Sequence, residues 1–269
     1  VAVAMSYGTI AVAIAPAVAP ILGGYLDDLA TWRSIFFFLS LYGATLLAWC
    51  VLRLPETNKH KNPSLRPAKV ATTYMEMLRH RQYLGYLLAY AISYGTMLGY
   101  YAAAPYIFIN VLGYRSHEYG FLLIFNVGFY VVGALVARMV VPRFGSNRVL
   151  LAAIAVFAAA AIVAVILDQT MTMSTVGVLI PMSIFIFGAA LVSPAANTGA
   201  MTMFKDRAGA STAIVGFAPV IGGALFNAGL STIHITRLWE LGAYVGLSAL
   251  LSVAGYLFLL HRKTADGAG

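Results

Sequence analysis

Apolar residues run along this chain in long unbroken blocks separated by short polar breaks. A helix needs about 20 apolar residues to cross a bilayer core. Eight blocks reach that length: 2–26, 33–53, 83–111, 119–141, 149–167, 173–197, 209–233 and 241–260. They are rich in Ala, Leu and Gly and do not alternate, unlike the strands of a membrane β-barrel. The expected fold class is an all-α transmembrane bundle of eight membrane helices.

Composition strengthens this reading. The chain is 61% hydrophobic and 10% charged, whereas a soluble domain carries about a quarter charged residues. A globule of this size cannot bury that much apolar surface, so lipid is the expected solvent. The single cysteine, Cys50, lies inside an apolar block, so no internal disulfide or CxxC motif exists. The chain opens Val1-Ala2-Val3, already apolar and without a basic leader. It is therefore expected to start inside a longer polypeptide.

The net charge of +8 first suggests a nucleic-acid partner, but the basic residues sit between the apolar blocks. Eight helices place both ends on one side of the membrane. That side carries Arg53, Lys59, Lys61, Arg66, Lys69, Arg79 and Arg81, then Arg138, Arg143 and Arg148, then Lys205, Arg207, Arg262 and Lys263. The other side carries only Arg33, Arg115 and Arg237. By the positive-inside rule the first side is cytoplasmic. The charge is thus a topology signal, no nucleic acid is expected, and both ends of the chain face the cytoplasm of the cell inner membrane.

One long connection, 54–82, holds Pro55, Pro63 and Pro67 and mixed charge, and is expected to be a cytoplasmic linker. Inside it Val70, Tyr74, Met77 and Leu78 fit one apolar face of a short surface helix; an ordinary turn fits equally well. The expected divisions are 1–53 (two helices of a first half), 54–82 (linker), 83–263 (a six-helix second half) and 264–269 (tail).

An internal repeat underlies that division. Ala19-Pro20-Ile21-Leu22-Gly23-Gly24 returns 199 residues later as Ala218-Pro219-Val220-Ile221-Gly222-Gly223. Each copy sits in the later part of an apolar block and is followed by a short outer loop and one last helix. Many transporters are built from repeated halves. With six helices per half, the copies are the fifth helix of each, and four helices are expected before Val1. Proline bends such a helix and small residues let neighbours approach closely. The segment from Ala15 to Gly24 therefore serves either as tight packing or as a contact between halves that must seal and slide.

At these residues the chain resembles the major facilitator superfamily, specifically its twelve-helix drug:proton antiporters of the bicyclomycin/chloramphenicol-resistance type. The antiporter signature of that family, G-x3-G-P-x2-G-G, is here Ala15-x3-Ala19-Pro20-x2-Gly23-Gly24, with alanine at both leading glycines. Similar to the family as well are Trp32-Arg33-Ser34-Ile35-Phe36-Phe37, Leu54-Pro55-Glu56-Thr57 before the basic linker, and Ser193-Pro194-Ala195-Ala196-Asn197-Thr198-Gly199-Ala200-Met201. A cytoplasmic loop motif corresponds to Gly133-x3-Ala137 followed by Arg143-Phe144-Gly145-Ser146-Asn147-Arg148. The acid usual in that motif is absent, so Arg143 fits topology anchoring better than gating.

All five histidines fall in or beside loops, and no Asp or Glu lies at mid-membrane depth in the eight blocks. Ionisable residues at such depth mark ion and proton pathways. The fragment therefore shows no catalytic site, metal site or proton relay, and no cofactor is expected. The resemblance puts the coupling acids in the first and fourth helices of the family, which this chain lacks.

What remains is a binding surface. Tyr83, Tyr86, Tyr90, Tyr94, Met97 and Tyr101 fall on one side of the block 83–111 at 3.6 residues per turn. Tyr83 and Tyr86 lie near the interface and suit anchors. Tyr90, Tyr94, Met97 and Tyr101 suit either helix packing or a substrate cavity, which the resemblance places on this seventh helix. Gly95 and Gly99 form a packing seam, and Pro105 is placed to bend the outer end. Asn126, Asn197 and Asn227 are amides that either tie helices together or touch substrate; Asn197 shares a face with Ser193.

The function implied is secondary active efflux of small lipophilic or cationic drugs in exchange for protons, by a full-length monomer in the lipid bilayer. The alternatives are a facilitator or importer of another solute on the same fold, or a membrane protein without transport.

Overall fold

The computed structural model describes residues 18–19, 21–53, 67–204, 207–230 and 237–260. Residues 1–17, Pro20 and the stretch 54–66 lie outside the described residues. Most of the first expected span, with Ala15 and Pro20 of the signature, therefore falls outside them. Among the described residues every regular element is helical.

The helices are α1 (21–29), α2 (Trp32–Arg53), α3 (Pro67–Arg79), α4 (Arg81–Pro105), α5 (Ser116–Phe144), α6 (Ser146–Thr170), α7 (Thr175–Met203), α8 (Ala208–Leu230) and α9 (Leu238–Leu260). Six described helices are long and apolar enough to cross a membrane: α2, α5, α6, α7, α8 and α9. The expected count of eight is not reached. The first span is mostly undescribed. The other, α4, is 25 residues long, but its tyrosines and glycines with Ser93 and Thr96 dilute its hydropathy. A helix enclosed by other helices can carry such residues because lipid does not select its surface.

By contact, the chain divides into two compact units: 1–71 with 114–124, and 72–113 with 125–269. In the first unit, Ser34 at the start of α2 donates its hydroxyl to the Leu26 and Thr31 carbonyls at 2.8 and 2.7 Å, closing the turn out of α1. No residue of α2 is buried. Its large apolar side chains, Phe37 at 74% and Leu52 at 79% exposure among them, form a surface that only lipid or another helix can cover. Arg33 lies over Trp32 at 5.2 Å and Arg53 over Trp49 at 5.7 Å. Seventeen residues at 1.5 Å each put the two tryptophans about 25 Å apart, the spacing of two interfacial aromatic belts.

The second unit is built around α4, which packs most extensively on α8 and also on α7 and α9; α6 lies against α7 and α9. The α4–α8 seam is made by backbone. A Cβ on Gly95 would strike the Gly222 main chain, one on Gly222 would strike that of Ala91, and one on Gly223 would meet the Leu98 side chain. The core between α6 and α7 carries Phe157 and Phe185, rings 4.7 Å apart. Gly145 joins α5 to α6 at φ 79°, a backbone state that glycine adopts without a Cβ penalty. Past Pro105, α4 changes to a π-helical turn over Tyr106–Val111, closed by the Leu112 amide donating to the Ile107 carbonyl.

The linker stretch contains α3. Met77 is fully buried, whereas Leu78 is 38% exposed. Arg207 donates to Glu76 at 2.6 Å, and the rings of His80 and Tyr83 meet Phe204 edge to face. These contacts hold α3 against the α7–α8 corner.

Candidate substrate cavity

The tyrosines of α4 separate into three groups. Tyr83 and Tyr86, expected as interfacial anchors, are buried instead. The Tyr83 hydroxyl donates to the Ser211 carbonyl on α8 at 3.2 Å, and that of Tyr86 donates to Asn147 Oδ1 on α6 at 2.8 Å. Gly199 on α7 leaves the space that the Tyr86 ring fills. A buried phenol needs a hydrogen-bond partner, and each finds one on a neighbouring helix.

At mid-depth, Tyr90 and Tyr94 are half-buried and meet edge to face at 5.8 Å. Tyr130 of α5 lies close to both, with the Ser193 hydroxyl of α7 beside its own. One turn on, Asn197 donates Nδ2 to the Ser193 carbonyl at 2.8 Å and remains half-buried. Three helices thus contribute phenol rings, a hydroxyl and an amide to one region. No Asp, Glu, Lys or Arg occupies the central turns of α4, α5 or α7. An uncharged, aromatic, hydrogen-bonding surface suits lipophilic or cationic aromatic molecules: it stacks on rings, attracts cations through π faces and imposes no fixed charge.

The remaining predicted residues lie elsewhere. Met97 is 6% exposed and packed. Tyr101 is half-buried, its ring tilted against Tyr100 at 5.4 Å. Asn126 is fully buried. It donates Nδ2 to the Tyr100 hydroxyl at 2.9 Å and accepts the Ser183 hydroxyl on Oδ1 at 2.7 Å, tying α5 to α4 and α7. Tyr130 was not anticipated. Its signal was the four-residue spacing from Asn126, which puts two polar residues on one face of an apolar helix.

The motif residues are scattered. Ala19 is exposed. Gly23 has nothing within 4 Å of a built Cβ, whereas a Cβ on Gly24 would meet the Ser116 carbonyl at 2.7 Å and His117 Cα at 2.9 Å. Pro219, Gly222 and Gly223 are buried. Gly133 lies well inside α5, where a Cβ would meet the Phe187 carbonyl of α7 at 2.6 Å. Arg143 and Gly145 are exposed at the α5–α6 corner. The described residues hold no group of three His, Cys, Asp or Glu able to bind a metal.

Residues 1–227 match the profile of the Major Facilitator Superfamily. Among known proteins the chain is 24% identical to the bicyclomycin resistance protein homolog of Haemophilus influenzae over 96% of its own length and 65% of that protein. It is 27% identical to multidrug resistance protein D of Escherichia coli, over 94% of the chain and 63% of the relative. It is also 27% identical to the chloramphenicol resistance protein of Pseudomonas aeruginosa, over 96% and 60%. The chain therefore spans under two thirds of the length of these curated relatives.

Proposed function

We infer, since this chain belongs to the major facilitator superfamily, that it forms the later part of a secondary transporter exporting small lipophilic or cationic drug-like compounds. The observation that carries the reading is the uncharged cluster of Tyr90, Tyr94, Tyr130, Ser193 and Asn197 on three helices. The relatives named for drug resistance support it.

In this reading α1 and α2 are the last two of six helices in a first half, and α4 to α9 are the second half. Eight spans cross the cell inner membrane, with both ends of this chain in the cytoplasm. Transport proceeds by rocking the halves about a central site. Tyr94 and Tyr130 present rings and hydroxyls to the substrate, and Tyr90, Met97, Tyr101 and Asn197 border them. Asn126 holds the wall behind. Protons drive export through groups on helices outside this chain, and the full-length protein acts as a monomer.

The test is dye efflux from energised cells that express the chain in its full-length context. Proton-dependent expulsion of ethidium, abolished by a protonophore, is expected. Unchanged accumulation across a broad panel of lipophilic and cationic dyes would refute the reading.

A further inference from the structure

We infer that His117 and Asp28 form a proton-operated latch at the outer end of the first compact unit. The inference rests on the transport reading only for its role in the cycle; the latch itself rests on contacts inside this unit.

His117 Nδ1 faces Asp28 Oδ2 in a short, direct contact between the start of α5 and the end of α1. The Tyr25 ring stacks on the imidazole at 5.7 Å, with planes 17° apart. Beside it Ser116 donates its hydroxyl to Asp27 at 3.0 Å. Two consecutive carboxylates of α1 thus meet two consecutive residues of α5. Gly24 makes the approach possible, because a Cβ there would run into the backbone of Ser116 and His117. The second glycine of the repeated Pro-Gly-Gly segment is therefore the point where a first-half helix closes on a second-half helix.

The pair is of a kind that protons can operate. Side-chain exposure is 26% for His117 and 34% for Asp28, so water reaches both. The other charged or titratable groups nearby have defined places. Asp27 takes Ser116, Glu118 accepts the Arg115 amide at 2.8 Å, Arg33 lies over Trp32, and Tyr25 offers the imidazole its face. Of the two carboxylates of α1 at this corner, Asp28 meets the ring and Asp27 meets the neighbouring Ser116.

Histidine is the side chain whose charge changes between pH 5 and 8. A latched state that prefers the imidazolium is favoured below that titration and loses the contribution as pH rises through it. The proton comes from the outer water to the ring and leaves by the same route, with no other reactant. The latch lies on the side with few basic residues, which topology puts outside. Acid outside then closes the outer end, the step needed after a substrate has left outward.

Spin labels at Leu29 and Ile124, exposed positions outside the hydrogen-bonded set, report the opening in lipid nanodiscs, with Cys50→Ser as background in the full-length protein. A short, narrow distance at pH 5.5 that lengthens and broadens by pH 8 is expected. His117→Asn should give the long distance at both pH values and His117→Lys the short one at both. An unchanged distance in the parent protein, or a pH shift retained in His117→Asn, overturns the proposal. The measurement needs no substrate. A shift without efflux would sink the transport reading and keep the latch; efflux without a shift would do the reverse.

Discussion

Gly95 and Gly222 meet main chain to main chain where α8 lies on α4, closer than any side chain permits. Small-residue contacts of this type replace the hydrophobic effect as the source of helix association in lipid. The second copy of the Pro-Gly-Gly segment thus supplies the most extensive helix pair of its unit.

Gly222→Val should force the pair apart. Overpacking a tight contact costs about 1–3 kcal/mol, and here the struck atoms are backbone, which cannot rotate away. Thermal unfolding in detergent is expected to show a clear fall in midpoint. Gly128→Ala on α5, where a Cβ meets nothing within 4 Å, should be neutral or raise the midpoint through helix propensity, worth up to about 1 kcal/mol.

Asn126→Leu should leave the Tyr100 and Ser183 hydroxyls without their amide partner. Interhelical hydrogen bonds within membranes average about 0.6 kcal/mol and reach about 1.7, so two lost bonds should lower stability by roughly 1–3 kcal/mol. Efflux should fall for all substrates in proportion to the amount of folded protein. A selective change of substrate profile would instead put Asn126 in the cavity.

Asn126 also shows how far the sequence can be read. An asparagine in an apolar helix announces a partner, but Tyr100 and Ser183 lie 26 and 57 residues away, and no local period links them. The spans were legible because a bilayer demands about 20 apolar residues each time. The α4 segment was legible as a helix and showed its tyrosine face, yet its enclosure was not. Tyr83 and Tyr86 were assigned to the interface because their distance from the helix end was known and their neighbours were not. Tyr130 shares a face with Asn126 four residues earlier, but its closeness to Ser193 and the α4 tyrosines joins residues far apart in the chain and has no local pattern.

Tyr130→Phe and Tyr94→Phe should separate the roles of ring and hydroxyl. The ring surface is kept, so efflux of cationic dyes held by π faces should persist, while substrates that need a hydrogen bond should lose several-fold, as expected for a net contribution of about 1 kcal/mol. Tyr94→Ala and Tyr101→Ala should alter the ranking of substrates with expression preserved. Inhibitory concentrations across a drug panel provide the check. An equal loss for every compound would point to folding instead.

Arg237→Ala should be more damaging than its own exposure suggests. Arg237 is 63% exposed, but the Asp168 carboxylate it meets at 3.0 Å is 7% exposed. Removing the arginine leaves an enclosed charge without its partner, which costs more than losing a surface pair. Asp168→Asn in the same background should recover most of the lost stability. Midpoints of the two single variants and the double variant, compared as a cycle, measure the coupling.

The tie through Asn126 has a mechanical consequence. It fastens α4, α5 and α7 at one level, ten residues and so about 15 Å from the start of α5. Three rods pinned together at one level act as a lever about that level. A spread at the near end reappears as a pinch at the far end, scaled by the longer arm, so a small release at the start of α5 produces a larger excursion at its other end.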